Sequence, residues 1–147
     1  MPKEEYEKRR DELIALCELL DFPYEIGDYK VREFLDLVKS LEKEPERGRR
    51  CDLCFTHRLS VSAMRAKELG ISHFTTTLAT SRWKSKEQVD KAGFTSQDTV
   101  GGVQYWAEDW RKGGLVTRRY QLVKEFSFYN QTYCGCIFSK INCEHQN

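Results

Sequence analysis

An apolar run rich in β-branched residues, ISHFTTTLATS from Ile71, lies between two segments of helical periodicity and predicts a buried strand over about residues 71–77. The preceding segment begins at Cys51 and ends at Gly70, which suits the residue just after a helix C-terminus. The following segment spans about residues 85–92 and leads to a second strand-like run, GGVQYW. Strands that alternate with helices predict an α/β fold, with a small parallel sheet flanked by helices.

The rest of the chain is predicted to be mainly helical. It opens directly into an amphipathic helix after Pro2, and a short strand is expected at about residues 23–26. A second helix follows from Val31, and a last one is expected over residues 115–128. No repeat or internal boundary interrupts the 147 residues, so we expect a single domain, residues 1–147.

Composition limits the class of protein and its surroundings. The chain is 39% hydrophobic and 32% charged, which is typical of a globular protein. No apolar run approaches the roughly 20 residues of a membrane span, and the charged start MPKEEYEKRR does not resemble a secretory signal. A cytoplasmic location without a membrane partner is therefore expected. The net charge of +1 excludes a broad basic field, so a nucleic acid would be bound by a local patch.

The six cysteines include two closely spaced pairs. In a reducing compartment, cysteines are more often metal ligands or redox thiols than a disulfide framework. Cys51 and Cys54 bring two sulfurs to one metal, or to each other, at the basic start of a helix. Cys134 and Cys136 flank Gly135, whose backbone freedom lets both sulfurs turn towards the same object.

Three interpretations of these four residues stay open from the sequence pattern alone. Four thiolates complete the tetrahedral ligand set of a structural zinc, clustered thiolates ligate iron–sulfur clusters, and cysteine is also a common core residue. Cys17 lies on the apolar face of the first helix and is assigned to the core. Cys143, beside His145 in a polar tail, is predicted to be an exposed thiol rather than a further ligand.

Four ordered blocks of the chain resemble the QueH family of epoxyqueuosine reductases: EPERGRRCDLCFTHRL, FTTTLATSRWKSKEQ, EDWRKGG and FSFYNQTYCGCIFS. The resemblance extends from PKEEYEKRR to Ser139. It implies a fold resembling the nucleotide α-hydrolase (HUP) type and an iron–sulfur cofactor, expected to be a 4Fe-4S cluster, and it admits an additional iron. It also implies reduction of epoxyqueuosine to queuosine in the anticodon region of tRNA, with electrons from a separate donor.

The resemblance also assigns roles to individual cysteines. Cys51 and Cys54 correspond to the family's cluster-binding pair, and Cys134 and Cys136 to a pair regarded as redox-active or metal-ligating. A Cys-Cys motif and the first β-α-β elements of the family precede the point where this sequence starts. We therefore expect the fold to lack those elements. We also expect the chain alone to show poor solubility or self-association, substoichiometric iron and little or no turnover, unless a longer gene product or a partner supplies the segment. The alternative function is a noncatalytic nucleic-acid-binding module with a structural four-cysteine zinc site.

The implied reaction requires two electrons, whereas one iron–sulfur cluster passes them one at a time. Cys134 and Cys136 are therefore candidate catalytic residues, either as a dithiol that becomes a disulfide or as ligands of a further iron. Three side chains next to the cysteines in sequence, those of His57, Tyr129 and Tyr133, could donate a proton, and none of them is assigned that role.

Candidate substrate-binding residues follow the predicted strands. Arg82, Trp83 and Lys84 lie beyond the carboxyl end of the first predicted parallel strand, where open α/β sheets bind ligands. The basic side chains would contact tRNA phosphates and Trp83 would stack on an unpaired base. The alternative is that the serines here only cap a helix and that Trp83 belongs to the core. Arg111 and Lys112, in WRKGG, repeat the basic and aromatic pattern.

Overall fold

The computed structural model describes residues 2–81 and 84–144, with the backbone alone for residues 142–144. The helices and strands, in chain order, are α1 (Lys3–Leu19), α2 (Val31–Leu37), α3 (Arg49–Glu68), β1 (His73–Phe74), α4 (Lys86–Val100), β2 (Gln104–Tyr105), α5 (Leu115–Glu125) and α6 (Ile137–Glu144). A short 3-10 turn, Leu78–Thr80, follows β1.

The chain divides into two compact units. The first, which we call the α/β unit, is Phe34–Thr117, and the second, the helical unit, combines Met1–Glu33 with Arg118–Asn147. The expectation of one domain over the whole chain stays a prediction. No helix within the described residues has the length and apolar content needed to cross a membrane.

The core of the α/β unit lies between α3, α4 and the two strands. From Phe55 onwards, helix α3 buries side chains at positions three or four residues apart, which is why this part of the sequence shows helical periodicity. Helix α4, the strands and their flanking residues supply the rest of the core. The buried hydrophobic residues of this core are Phe55, Leu59, Ala63, Ala66, Phe74, Ala79, Val89, Ala92, Val103 and Tyr105.

The two strands form a parallel sheet, as predicted. His73 pairs with Gln104 and Phe74 pairs with Tyr105. Parallel neighbours need a crossover connection, and α4 supplies it, so β1, α4 and β2 make one β-α-β unit. Ser85 caps α4 by accepting a hydrogen bond from the Gln88 N–H. The predicted α/β fold with a small parallel sheet flanked by helices is confirmed.

Helix α4 meets the sheet at Gly93. A Cβ atom at this position would lie 2.4 Å from the Tyr105 ring, so only glycine allows the approach. The ring packs against Phe74 and Phe94, and its hydroxyl donates to a carboxylate oxygen of Asp90 at 3.3 Å. Burial, followed by the charge of Asp90 and this hydrogen bond, raises the pKa of Tyr105 to about 12.

Several predicted boundaries were wrong. Residues 23–26 form no strand, because they have no neighbouring strand to pair with and their apolar side chains are exposed. The strand from Ile71 is only the two residues of β1. The helix predicted over 115–128 ends at Glu125, and Ser127 has a φ of 53°. Helix α6 was not predicted.

The predictions for Cys17 and Cys143, the cysteines outside the two pairs, have different outcomes. Cys17 was predicted to be a core residue and is only half-buried, because α1 buries none of its residues completely. The side chain of Cys143 lies outside the described residues, so its predicted exposure stays a prediction.

Replacing Tyr105 with Phe should alter how stability depends on pH in the alkaline range. The folded protein holds the pKa of Tyr105 at about 12, whereas an unfolded tyrosine ionises near pH ~10. Between these values the unfolded chain loses a proton that the folded chain keeps, so the free energy of unfolding falls as pH rises. The fall is at most about 1.4 kcal/mol per pH unit.

Urea denaturation of both proteins at about pH 9 and about pH 11 measures this effect. The wild-type protein should lose more stability between the two conditions than Tyr105→Phe, which retains the ring but has no ionisable hydroxyl. Equal losses in the two proteins would contradict the assignment of a raised pKa to the buried Tyr105 side chain.

Candidate functional site

The first cysteine pair lies in the α/β unit, in the first two turns of α3. Cys51 and Cys54 are three residues apart, a spacing that makes helical side chains neighbours on one face. Both side chains are half-buried, and Cys51 also packs against the hydrophobic core. The positive end of the helix dipole favours negatively charged groups at this position. The pair is therefore partly accessible, and Cys51, in the first turn of α3, is the member placed where the dipole favours a thiolate.

A buried arginine fixes the loop that leads into these cysteines. Arg50 is only 2% exposed, and one of its terminal nitrogens donates to the carbonyl oxygens of Leu41, Glu42 and Glu44 at 3.1, 2.9 and 2.7 Å. The Glu44 carboxylate accepts a hydrogen bond from the Arg49 N–H at 3.1 Å. Hydrogen bonds from a charged donor in such a setting are stronger than neutral ones. The loop and the start of α3 thus form one anchored element.

Gln88 connects the starts of two helices. Its side-chain amide extends from the first turn of α4 and donates to the Arg47 carbonyl at 2.6 Å and to the Asp52 carboxylate at 2.8 Å. Asp52 lies between the two cysteines of α3. Arg50 and Gln88 therefore hold the start of α3, where the predicted site residues Cys51 and Cys54 lie. Neither Arg50 nor Gln88 was predicted from the sequence to have this structural role.

The second cysteine pair lies in the helical unit, at the start of α6. Gly135 has a φ of 101°, which confirms the tight turn predicted between Cys134 and Cys136. The Cys136 carbonyl accepts from the Lys140 N–H at 3.1 Å, and its sulfur accepts from the Ser139 N–H at 3.4 Å. The Ser139 hydroxyl accepts in turn from the Cys134 N–H at 3.4 Å. Cys136 therefore caps α6, and the buried Ser139 contacts both cysteines.

Helix α1 holds this turn through another arginine, which is partly buried. Arg9 donates to the carbonyl oxygens of Tyr133 and Cys134, each at 3.3 Å. Its Nε also donates to Glu5 at 2.7 Å, and the Tyr129 hydroxyl donates to the same carboxylate at 3.0 Å. The exposed fractions of the Arg9 and Glu5 side chains are 18% and 11%. In sequence, these two residues resemble an ordinary helical surface pair.

The tyrosines near this turn are held in their protonated form. Burial raises the pKa of Tyr129, and the hydrogen bond to Glu5 raises it further. Burial and then the charge of Glu5 raise the pKa of Tyr133, with a smaller contribution from Cys136. His57, the third proton-donor candidate, lies half-buried on α3 in the α/β unit. The choice of a proton donor among them stays a prediction.

The two cysteine pairs belong to different compact units. Within residues 2–81 and 84–144, as far as their side chains are described, no group of three or more His, Cys, Asp or Glu residues is arranged to hold a metal ion. The assignment of Cys51, Cys54, Cys134 and Cys136 as metal ligands therefore stays a prediction.

The loops after the two strands meet at the carboxyl end of the sheet. The Thr75 hydroxyl donates to the Trp106 carbonyl at 2.8 Å, and the Trp110 indole N–H donates to the Thr76 carbonyl at 3.0 Å. The Trp106 and Trp110 rings pack edge to face. These contacts join the residues just after β1 to the loop of Arg111 and Lys112. Lys84 follows further along the chain, just before α4. Arg82 and Trp83 lie outside the described residues.

The cations of the second loop share one acidic neighbour. Arg111 donates to Asp109 at 3.3 Å, whereas the Lys112 ammonium is 3.9 Å from this carboxylate and its side chain is 83% exposed. Burial acts to raise the pKa of Asp109, but hydrogen bonds and charge from Arg111 lower it below its usual value. Arg111 is therefore partly neutralised, and Lys112 is the better placed of the two to contact an anion.

The fold and the cysteines define an α/β protein with one thiol pair in each of its two units. A family model described as epoxyqueuosine reductase QueH matches residues 1–142. The chain therefore belongs to the QueH family of epoxyqueuosine reductases.

Individual relatives agree with this family membership. The chain is 37% identical over 138 residues to epoxyqueuosine reductase QueH of Acinetobacter baylyi, and the match covers 94% of this chain and 63% of the relative. It is 39% identical to the protein of the same name from Histophilus somni, with 94% and 57% covered. The Helicobacter pylori relative is 36% identical, with 99% and 41% covered. The chain thus spans about three fifths or less of the length of these relatives.

Replacing Arg50 with Met should destabilise the α/β unit. Methionine keeps much of the apolar stem but cannot donate to the three loop carbonyls, so we expect a loss of about 1.5 to 3 kcal/mol. Urea denaturation followed by tryptophan fluorescence measures the change. Arg49→Met is the matched control, because its neighbouring side chain is exposed. If both variants unfold at the same urea concentration, the anchoring role of Arg50 is wrong.

Proposed function

We propose that this chain contributes to the reduction of epoxyqueuosine to queuosine in tRNA. The observation that carries the proposal is the family match over residues 1–142, together with relatives at 37% and 39% identity that are named epoxyqueuosine reductase. The proposal is supported by the turn of Cys134 and Cys136, since the reaction needs a two-electron donor and two thiols provide one.

The proposed chemical step balances with these two thiols alone. The epoxide loses its oxygen as water and its two carbons form a double bond, which consumes two electrons and two protons. Cys134 and Cys136 supply both when their two S–H groups become one S–S bond. Ligation of an additional iron by the same sulfurs is the alternative role. The geometry that supports the dithiol is the glycine turn, which places both cysteines at the start of α6.

We further propose that Cys51 and Cys54 hold the iron–sulfur cofactor. Soft thiolate sulfurs are the usual ligands of iron–sulfur clusters, and these two side chains are half-buried, three residues apart and in the first two turns of α3. The residues present therefore fit two ligand positions of such a group. When bound, a 4Fe-4S cluster would carry single electrons from an external donor to return the disulfide to the dithiol.

The tRNA substrate is proposed to lie across the carboxyl end of the parallel sheet. Lys84 and Lys112, with the partly neutralised Arg111, provide positive charge on the two loops that follow β1 and β2. Arg82 and Trp83 are proposed to act with them, as phosphate contact and stacking side chain. The location is supported by the general rule that open α/β sheets bind ligands at the carboxyl ends of their strands.

An assay in the context of a relative tests the proposed function. The residues of the Acinetobacter baylyi relative that align with this chain are replaced by the chain's own sequence, and conversion of epoxyqueuosine-containing tRNA is measured anaerobically with a strong reductant. The chimera should form queuosine, and Cys136→Ser in it should reduce formation to background. Cys17→Ser, a half-buried cysteine of α1, is the matched control and should remain active.

Two results would contradict the proposal. A chimera that forms no queuosine, although it folds and the parent relative is active, would show that this chain cannot supply the function. A Cys136→Ser chimera as active as the Cys17→Ser control would remove the dithiol step, and would agree better with a noncatalytic module that holds zinc through its cysteines.

A further inference from the structure

The turn that contains Cys134 and Cys136 is bound by one side chain of α1, that of Arg9. The two terminal nitrogens of Arg9 each bind a separate carbonyl oxygen, that of Cys134 and that of Tyr133, at 3.3 Å. A planar guanidinium is suited to bridge two acceptors, whereas a lysine ammonium acts as a single point charge. The orientation of the peptide just before Cys134 therefore depends on where Arg9 lies.

Arg9 is itself fixed by two further groups. Its Nε and a terminal nitrogen bind Glu5, one helical turn earlier on α1, and the Tyr129 hydroxyl binds the same carboxylate. Arg9 also lies over the Tyr133 ring, with 5.7 Å from its guanidinium carbon to the ring centroid. Since the Arg9 and Glu5 side chains are largely buried, this chain of contacts is ordered rather than a solvated surface pair.

We propose that Arg9 is a positioning residue that holds the Cys134–Gly135–Cys136 turn in its dithiol conformation. In this conformation the Cys136 sulfur accepts a hydrogen bond from the Ser139 N–H, and the Cys134 N–H donates to the Ser139 hydroxyl. The two thiols are not bonded to each other in this arrangement. Closing an S–S bond brings the two sulfurs to about 2 Å, and we expect the turn and its contacts with Ser139 to change when the bond forms. Contacts that fix the arrangement stabilise the dithiol relative to the disulfide.

The inference rests on the proposed dithiol chemistry and is tested by the dithiol–disulfide equilibrium of the pair. The chain is equilibrated anaerobically in glutathione buffers of graded ratio, quenched by alkylation, and the peptide with both cysteines is quantified by mass spectrometry. Arg9→Met should shift the equilibrium towards the disulfide by about tenfold, which corresponds to about 30 mV. Arg9→Lys should shift the equilibrium in the same direction and by most of the same amount as Arg9→Met, because one ammonium cannot bridge both carbonyls.

Two further variants complete the experiment. Arg10→Met is the matched control: Arg10 is the next residue on α1 and pairs with Asp11, so its loss should leave the equilibrium unchanged. Tyr129→Phe removes only the hydroxyl that binds Glu5 and should give a smaller shift in the same direction. This milder variant tests the inference even if Arg9→Met does not fold.

Each remaining outcome counts against a specific claim. An unshifted equilibrium in both Arg9→Met and Tyr129→Phe overturns the positioning role, and so does wild-type behaviour of Arg9→Lys, since charge alone would then suffice. If the wild-type pair forms no disulfide in any buffer, the dithiol step of the proposed function is wrong. The rate of iodoacetamide labelling of the two cysteines then decides the role of Arg9. The labelling rate should rise about tenfold in Arg9→Met and not in Arg10→Met. Equal labelling rates in the two variants would overturn the positioning role of Arg9.

Discussion

The close approach of the Tyr105 ring to α4 at Gly93 determines the arrangement of the α/β unit. Because a side chain at Gly93 would collide with the ring, the glycine sets the distance between the crossover helix and β2. The register of the parallel pair then places Trp106 and the loop after β2 beside the loop after β1, where Thr76 accepts from Trp110. The region proposed for tRNA binding is therefore a consequence of packing in the core.

The two cysteine pairs have similar local surroundings although they belong to different units. Each lies at or just before the start of a helix, α3 or α6, and beside each pair main-chain carbonyls accept hydrogen bonds from an arginine that is buried or largely buried. Arg50 binds three carbonyls before Cys51, and Arg9 binds two at the turn of Cys134. In both places a long cationic side chain binds several main-chain carbonyl oxygens beside a cysteine pair.

Sequence patterns predicted the parts of the fold that depend on local preferences. The β-α-β order, a serine cap at the start of α4 and the tight turn at Gly135 were all predicted correctly, because each follows from periodicity or from the local preference of one residue. The strand expected at residues 23–26 was wrong, since a strand also needs a partner that no local pattern reveals.

The side chains that hold the candidate sites in place could not be predicted from local sequence patterns. Arg9 and Arg50 look like solvated charges in the sequence, and only tertiary contacts show that they bind carbonyl oxygens from beyond their own helices. Gln88 is a similar case, because its amide reaches residues far earlier in the chain. The cysteine pairs themselves were visible from their spacing, whereas the side chains that hold them were not.

The metal content of the anaerobically purified chain tests the central claim most directly. Iron, zinc and acid-labile sulfide are measured, together with the visible absorption spectrum, for the wild type, for Cys51→Ser combined with Cys54→Ser, and for Cys17→Ser as control. The account predicts iron and sulfide with sulfur-to-iron charge-transfer bands in the wild type and control, and their loss in the double variant. A colourless wild-type chain that holds zinc, or a double variant that keeps its iron, would contradict it.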